Sequence, residues 1–384
     1  MATRPFKIEV PKELLDDLMR RLKHTRWPDE LNDSGWVHGT SLAYTKTLCE
    51  YWMTEFEWRS QEAAINNFSH FRTNVEGLGI HFVHERGKGE NPIPLIITHG
   101  WPSTFFELLK IIPLLTDPAG HGGDPGDSFD VVVPSLPGYG FSDRPRTGMN
   151  IAAIAHHWNI LMTRELGYDT YATQGGDWGA CVSARLGFDF PNNVTGVHLN
   201  TDVLAKPYLG PGARAMSDKE KAYREEIQLG DREDRGFAHV QATKPQTLAY
   251  ALNDSPAGLA AWIVEKFRSW SDCGGDVEKV YSKDELLTNI TIYWVTQTIS
   301  SSIRIYYEAL SSNPWVLEQG ERVEVPCALA LFPKDPYQVV REWAERSLNI
   351  HRWTQMPMGG HFAAMEQPQL LVDDIRAFFR DLRK

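Results

Sequence analysis

A tight turn made of small residues surrounds an aspartate near the middle of this chain. The segment reads Gln174-Gly175-Gly176-Asp177-Trp178-Gly179-Ala180. Small residues two positions before and after Asp177 are typical of a cramped passage from a strand into a helix, because no bulky side chain fits beside such a turn. The sequence therefore predicts that Asp177 lies at the end of a strand and the start of a helix. An ordinary Gly-Asp turn is the alternative.

An aspartate at this position indicates displacement chemistry at a saturated carbon. A carboxylate is a poor nucleophile toward a carbonyl group, but it can attack an sp³ carbon that carries a strained or good leaving group. The first product would be an alkyl ester of Asp177 itself. A second step would then have to hydrolyse that ester.

Length, charge and cysteine content limit the domain organisation, the binding partners and the compartment of this protein. The chain has 384 residues, 42% of them hydrophobic, and a formal net charge of −11. This length fits one large α/β domain with an insertion, or two modest domains. Because no Lys/Arg block is long enough to follow phosphates, we expect no nucleic-acid partner. We expect no membrane partner either, since no apolar run approaches a bilayer span and residues 1–30 lack a secretory apolar core. Four distant cysteines without a CxxC pair indicate reduced thiols and a cytoplasmic protein.

Strand-like and helical segments alternate through much of the chain. Strands are predicted at residues 71–76, 79–85, 94–98, 129–134, 168–174, 194–199, 325–332 and 350–357. Helices are predicted at residues 11–24, 41–56, 151–166, 178–190 and 368–382. This alternation is typical of an α/β fold, with a mostly parallel central sheet and helices on both faces.

Two parts of the chain break the alternation. Residues 1–75 begin with helices and are dense in aromatic side chains, which predicts a helical N-terminal extension buried against the core. Residues 205–320 are mainly helical, which predicts a lid inserted between two parts of the core, residues 76–204 and 321–384. The aromatic residues of the extension are Trp27, Trp36, Tyr44, Tyr51, Trp52, Phe56 and Trp58.

Hydrolysis of an ester on Asp177 requires a base that activates water and an acid that orients the base. His361 lies in a glycine-rich loop just after the last predicted strand, and Asp335 follows the strand before it. The ends of neighbouring parallel strands would bring both residues to Asp177 at one edge of the sheet. Asp202, just past the strand at residues 194–199, is an alternative orienting acid.

A second local motif, His99-Gly100-Trp101-Pro102, follows the strand at residues 94–98. The backbone N–H groups of Trp101 and Trp178 are predicted to form an oxyanion hole for the carbonyl oxygen of the Asp177 ester. The two indole side chains would also line the substrate-binding pocket with apolar surface. A plain Gly-Trp-Pro turn is the alternative.

These motifs, taken together, resemble those of the microsomal-type epoxide hydrolases, a branch of the α/β-hydrolase superfamily that carries an N-terminal extension. The resemblance covers essentially the whole chain and implies the α/β-hydrolase fold, with Asp177, Asp335 and His361 as the catalytic triad. Because the membrane anchor of some relatives is missing, the chain resembles the soluble members. Further shared segments are Pro5-Phe6, Thr25-Arg26-Trp27-Pro28, Pro134 to Ser142, Thr243-Lys244-Pro245 and Leu252 to Pro256.

The resemblance also implies two lid tyrosines that donate hydrogen bonds to the epoxide oxygen. One position matches Tyr306, whose neighbour Tyr307 points about 100° away on a helix and is the weaker candidate. The other position holds Phe237, which still lines the substrate-binding pocket but cannot donate a hydrogen bond. We therefore expect Tyr306 to activate the ring alone, with water or His239 as an alternative helper.

The sequence thus predicts an enzyme that converts a small epoxide and water into a vicinal diol, as in aromatic hydrocarbon catabolism or detoxification. No cofactor and no metal is required by this chemistry. A haloalkane dehalogenase is the alternative enzyme: it shares the aspartate nucleophile and often a tryptophan such as Trp178, but it leaves Tyr306 without a role. A third hypothesis is a non-catalytic binding protein with the same fold. The natural epoxide and a homodimeric state stay open.

Overall fold

A nine-stranded sheet forms the centre of the computed structural model, which describes residues 3–32, 34–233 and 235–383. The strands are β1 (Arg4–Pro5), β2 (His70–Val75), β3 (Leu78–Glu85), β4 (Ile93–Thr98), β5 (Phe129–Pro134), β6 (Tyr171–Gly175), β7 (Val194–Leu199), β8 (Val323–Leu331) and β9 (Leu348–Gln355). Their order across the sheet is β1-β2-β3-β5-β4-β6-β7-β8-β9. In this order, the neighbours β1, β2, β3 and β5 pair antiparallel. The neighbours β5, β4, β6, β7, β8 and β9 pair parallel.

Helices α1 to α15 surround this sheet. They are α1 (Lys12–Lys23), α2 (Leu42–Thr54), α3 (Trp58–Ile65), α4 (Ile111–Thr116), α5 (Ile151–Ile160), α6 (Trp178–Asp189), α7 (Asp218–Glu233), α8 (Gly236–Thr243), α9 (Pro245–Leu252), α10 (Pro256–Ser269), α11 (Lys283–Thr296), α12 (Ile299–Tyr306), α13 (Arg341–Ala344), α14 (Ala363–Glu366) and α15 (Pro368–Arg380).

Two glycines demonstrate that helices cover both faces of the sheet. Gly187 of α6 packs against Val197 of β7, and Gly196, the neighbouring residue of that strand, packs against Phe379 of α15. Adjacent residues of a strand point to opposite faces, so α6 and α15 lie on opposite sides. A side chain on either glycine would collide with its neighbour. The predicted α/β class, with helices on both faces of a mostly parallel sheet, is confirmed.

Most predicted elements form, with shifts of a few residues at their ends. The strand predicted at residues 168–174 begins only at Tyr171, and the helix predicted at residues 151–166 is regular only through Ile160 before its last turns widen. Strand β1 and the helices α3, α4, α13 and α14 were not predicted, because these short segments carry too few residues for a periodic pattern. Strand β1 exists only because it pairs with β2 across the sheet edge.

Six helices, α7 to α12, lie between β7 and β8 in the chain. This agrees with the mainly helical character predicted for residues 205–320. The exact limits of the lid, of the extension and of the two core parts stay predictions. Within the described residues, no helix is both long and apolar enough to cross a membrane. All four cysteines are buried and free of disulfides.

The N-terminal extension is tied to the lid helices by long-range hydrogen bonds. The indole N–H of Trp52 donates to Thr291 Oγ1 of α11 at 3.1 Å, and the Tyr51 hydroxyl donates to Asp284 at 3.0 Å. The guanidinium of Arg21 donates to the backbone carbonyl of Asp254 at 2.9 Å. The extension therefore supports the helices that cover the carboxyl ends of the strands.

The aromatic side chains of the extension are buried only in part. Trp52, Phe56 and Trp58 belong to the core, whereas Trp27 remains 36% exposed. The prediction that this set would be buried is wrong for Trp27. Its ring instead lies 5.7 Å from the ammonium group of Lys46, and such a contact leaves the indole open to water.

One buried carboxylate fastens the start of the extension. Glu62 of α3 is 7% exposed and accepts hydrogen bonds from the backbone N–H of Val10 at 2.6 Å and from the indole N–H of Trp58 at 3.1 Å. Arg59 also donates to it, at 2.5 Å. Removing the carboxylate would leave two buried donors without partners.

We therefore predict that Glu62→Ala lowers the free energy of unfolding by about 2 to 3 kcal/mol, the cost of two buried donors left unpaired. Urea denaturation followed by tryptophan fluorescence measures the loss. Glu55→Ala is the control, since Glu55 lies in the same extension and is exposed, and its effect should stay within about 0.5 kcal/mol. Equal stability of the two variants would contradict the anchoring role of Glu62.

Candidate active site

Asp177 sits in a strained turn between β6 and α6. Its backbone has φ 50° and ψ −128°, a region that side-chain-bearing residues rarely adopt and that costs about 1 to 3 kcal/mol. The turn closes because its neighbours are glycines. A Cβ on Gly179 would collide with the backbone carbonyl of Thr98, and a Cβ on Gly176 would meet the amide of Asn200. The predicted strand–turn–helix geometry around Asp177 is confirmed.

The motif after β4 approaches this carboxylate directly. The backbone N–H of Trp101 donates to Asp177 Oδ1 at 2.8 Å. Gly100 permits the approach, because a Cβ there would overlap the Asp177 side chain. Within the described residues, the structure records no such bond from the backbone N–H of Trp178, which is the first residue of α6.

His361 lies on the other side of the carboxylate. Its Nε2 is 3.4 Å from Asp177 Oδ2, and its Nδ1 is 3.1 Å from Asp335 Oδ2. Asp335 also accepts from the backbone N–H of Tyr337 at 2.7 Å. The acid lies in the loop after β8 and the histidine in the loop after β9. A hydrogen bond of 3.0 Å, from the N–H of Lys334 to the carbonyl of Gly359, ties the two loops together.

The surroundings of His361 favour its charged form. Burial lowers the pKa of the imidazole, but the charge of Asp335, the hydrogen bonds that the ring donates to both carboxylates and the charge of Asp177 outweigh it. The pKa of His361 is therefore held well above its ordinary value. In the resting site the imidazolium lies between two carboxylates.

Four aromatic rings form a wall beside Asp177. The ring of Tyr306 meets that of Trp178 edge-on at 4.8 Å and that of Trp101 at 5.7 Å. The Phe237 ring stacks on Trp101 at 5.5 Å and lies 5.9 Å from Tyr306. Burial, followed by the charge of Asp177, raises the pKa of Tyr306 well above its ordinary value, so its phenol keeps its proton.

Three residues considered in the sequence do not join this cluster. Asp202 accepts a hydrogen bond from the Tyr223 hydroxyl at 2.8 Å, whereas the imidazole of His361 is paired with Asp335. Tyr307 is exposed, as expected for the residue after Tyr306. His239 is also exposed on α8, which does not support the alternative that it helps Tyr306 at the epoxide.

Some residues that border the site were not identified from the sequence. The backbone carbonyl of Trp270 accepts from the N–H of His361 at 2.8 Å, and its ring lies 5.1 Å from the imidazole. Asn200 follows the end of β7 and accepts from the Gln174 amide at 2.8 Å. Its position after a parallel strand was a usable signal. Nothing in the local sequence distinguishes Trp270 or the half-buried side chain of Glu107.

The arrangement can support a covalent displacement followed by ester hydrolysis. One carboxylate is oriented by a backbone donor, and a histidine and a second acid lie behind it. A buried phenol with a retained proton lies among apolar rings on the lid side. These are the parts of a nucleophile, a general base with its orienting acid, and a proton donor.

Two family models match this chain. The model described as "Epoxide hydrolase N terminus" matches residues 3–108, and the "alpha/beta hydrolase fold" model matches residues 93–255. Epoxide hydrolase 1 of Oryctolagus cuniculus is 40% identical, over 98% of this chain and 88% of its own length. A relative from Stigmatella aurantiaca (strain DW4/3-1) is 45% identical over 99% of this chain and 85% of its own length.

Solved structures of epoxide hydrolases are also similar to this chain. The epoxide hydrolase of Aspergillus niger superposes with a TM-score of 0.86 at 31% identity, over 100% of this chain and 97% of that chain. The juvenile hormone epoxide hydrolase of the silkworm Bombyx mori superposes with a TM-score of 0.84 at 30% identity, over 100% and 94%. The chain therefore belongs to the epoxide hydrolase family, a family of enzymes built on the α/β-hydrolase fold.

Proposed function

We propose that this protein hydrolyses an epoxide to a vicinal diol through an alkyl ester on Asp177. The observation that carries the proposal is the continuous line of contacts from the Trp101 N–H through Asp177 and His361 to Asp335. Each group in that line has a role that the two-step reaction requires.

The first step opens the epoxide ring. An oxygen of the Asp177 carboxylate attacks a ring carbon, the C–O bond of the ring breaks, and the phenol of Tyr306 gives its proton to the oxygen that leaves the carbon. The high pKa of Tyr306 keeps that proton available at neutral pH. The epoxide oxygen would otherwise depart as an alkoxide, a much poorer leaving group.

The second step hydrolyses the ester. Once Asp177 is esterified it carries no charge, so one influence that raises the pKa of His361 is lost. The imidazolium then releases its proton, the phenolate of Tyr306 regains one, and neutral His361 takes a proton from water while hydroxide adds to the ester carbonyl. The tetrahedral species then collapses by breaking the bond between the carbonyl carbon and the alkyl oxygen. The oxygen of the water stays on Asp177, and its second proton passes to the departing alkoxide, which gives the carboxylate and the diol.

The backbone donor at Trp101 supports this step. Its N–H already points at an oxygen of Asp177, and the same bond strengthens as negative charge develops on that oxygen during water attack. A similar role for the N–H of Trp178 remains part of the proposal, because the start of a helix offers unpaired donors.

The aromatic wall supports an apolar, aryl-bearing epoxide as substrate. Phe237 leaves Tyr306 as the phenol on this wall, and the remaining rings offer stacking surfaces. Four buried free thiols support a reducing compartment such as the cytoplasm. No organic cofactor or metal enters the proposed steps.

We predict that His361→Gln traps the intermediate. Asp177 would still attack the epoxide, but no base would activate water, so the ester would accumulate and turnover would fall by at least about 100-fold. Rapid quenching after mixing with styrene oxide, followed by mass spectrometry of the peptide that contains Asp177, measures the added mass. His239→Gln, an exposed histidine on α8, is the matched control and should turn over like the wild type.

This trapping experiment, together with a halide-release assay on a haloalkane, separates the alternative functions. A non-catalytic binding protein would add no mass to the Asp177 peptide in either variant. A haloalkane dehalogenase would release halide from a haloalkane and leave the epoxide unchanged. Either result would contradict epoxide hydrolysis through Asp177.

We further predict that Phe237→Tyr accelerates turnover of styrene oxide by about 10 to 100-fold. A second phenol beside Tyr306 would add a hydrogen bond of about 1.5 to 3 kcal/mol to the developing oxyanion. Steady-state kcat measures the gain. Tyr307→Phe, which alters an exposed neighbouring phenol, should leave kcat unchanged. A rate equal to or below that of the wild type would count against Tyr306 acting alone.

Asp335→Asn should move the acid limb of ester hydrolysis to lower pH. The Asp335 charge raises the pKa of His361, so its removal lowers that pKa and the imidazole becomes neutral at lower pH. The maximal rate should fall by about 10-fold or more, since the ring is less firmly oriented. Decay of the quenched-flow ester across pH measures both effects. A limb that stays in place or moves upward would refute the electrostatic role of Asp335.

A further inference from the structure

One interior carboxyl next to the site has no part in the steps above. Glu107 belongs to the short helical turn Phe105–Leu108 that follows the Trp101 motif. It is half-buried and lines an internal cavity. Interior carboxyl groups are rare unless a specific partner requires them.

Glu107 is connected to the nucleophile through Ser103. The Ser103 hydroxyl donates a hydrogen bond to Glu107 Oε2 and lies 3.2 Å from the backbone carbonyl of Gly100. Gly100 is the residue that packs directly on the Asp177 side chain. The carboxyl is therefore held in a fixed position behind Asp177.

The cavity is the size of one water molecule. The volume open to the centre of a water molecule is ≈ 10 Å³, which is about what a single bound water requires. Asp177, His361 and Glu107 all line it, together with the polar side chains of Ser103 and Asn200. A water in such a cavity has the two to four polar partners that it needs.

The cavity and the aromatic wall are lined by largely different residues. Tyr306, Trp178 and Phe237 do not line the cavity, although Trp101 borders both it and the wall. An epoxide held against the lid rings would thus leave the cavity accessible to water. The two reactants would reach Asp177 from separate compartments.

The pKa of Glu107 depends on whether Asp177 is charged or esterified. The pKa of Glu107 is raised to about 7: burial is the main cause, the Ser103 hydrogen bond and the charge on His361 oppose it, and the charge of Asp177 adds to the rise. Esterification of Asp177 removes that last effect. The pKa of Glu107 then falls, so the ionised carboxylate, a strong hydrogen-bond acceptor, is favoured in the intermediate.

We propose that Glu107 is a water-positioning residue, which holds the hydrolytic water in this cavity between His361 and the Asp177 ester. The proposal rests on the function proposed above. One hydrogen of the water points to Glu107, the other faces His361 Nε2, and the oxygen faces the ester carbonyl. Glu107 thus serves the second step, and the attack of Asp177 on the epoxide proceeds without it.

Glu107→Gln tests the proposal by separating the two steps. The variant should lower kcat by about 10 to 100-fold, the effect of one hydrogen bond to a charged group, and should leave kcat/KM within about two-fold. KM would fall together with kcat, because kcat/KM reports formation of the ester. Quenched-flow mass spectrometry should detect more Asp177 ester at steady state than in the wild type.

A matched carboxylate provides the control. Glu165 also accepts a hydrogen bond from a hydroxyl, that of Thr73 at 2.8 Å, and it lies outside the cavity lining. Glu165→Gln should leave both kcat and kcat/KM unchanged. Ser103→Ala is a second variant for the case in which Glu107→Gln does not fold. It should lower kcat in the same selective way, by a smaller factor.

The outcomes distinguish the two proposals. If the wild type forms the ester and Glu107→Gln clears it at the wild-type rate, Glu107 does not position the water. A parallel loss of kcat and kcat/KM also overturns the inference, because it indicates a structural role that disturbs Asp177 itself. If the wild type never forms the Asp177 ester, the proposed function fails first.

Discussion

The left-handed backbone of Asp177 is the constraint on which the site depends. A carboxylate can approach a substrate from the end of a buried strand only if the chain turns abruptly there, and the turn places Asp177 at φ 50°. Glycines at positions 100, 176 and 179 leave room for the surrounding backbone. The carboxylate in turn receives the Trp101 N–H and faces His361.

The rest of the molecule keeps this turn enclosed. Parallel strands bring the loops of Asp335 and His361 to one edge of the sheet, and the helices between β7 and β8 supply Phe237 and Tyr306 of the aromatic wall. The N-terminal extension is hydrogen-bonded to α11 of this group through Trp52 and Thr291. The extension and the site are therefore linked through α11, the helix that precedes α12 and its Tyr306.

Sequence reasoning anticipated the α/β class, the elbow and the close approach of Asp335 and His361, since strand ends and glycine-rich turns leave local signals. It was less accurate where burial is decided by distant parts of the chain. Trp27 was expected to be buried and is exposed, and His239, the alternative helper at the epoxide, is exposed on α8. The catalytic roles of the site residues stay proposals, although their proximity is a property of the fold.

The sequence by itself determined the type of nucleophile, the order of the strands and helices along the chain, and the missing phenol at Phe237, because residue identity and local spacing carry that information. Only the tertiary structure decided which acid pairs with His361, which rings meet around Tyr306, and that Glu107 shares a water-sized cavity with Asp177. Those relations join residues far apart in the chain, and packing in three dimensions, which local pattern does not encode, brings them within a few ångströms.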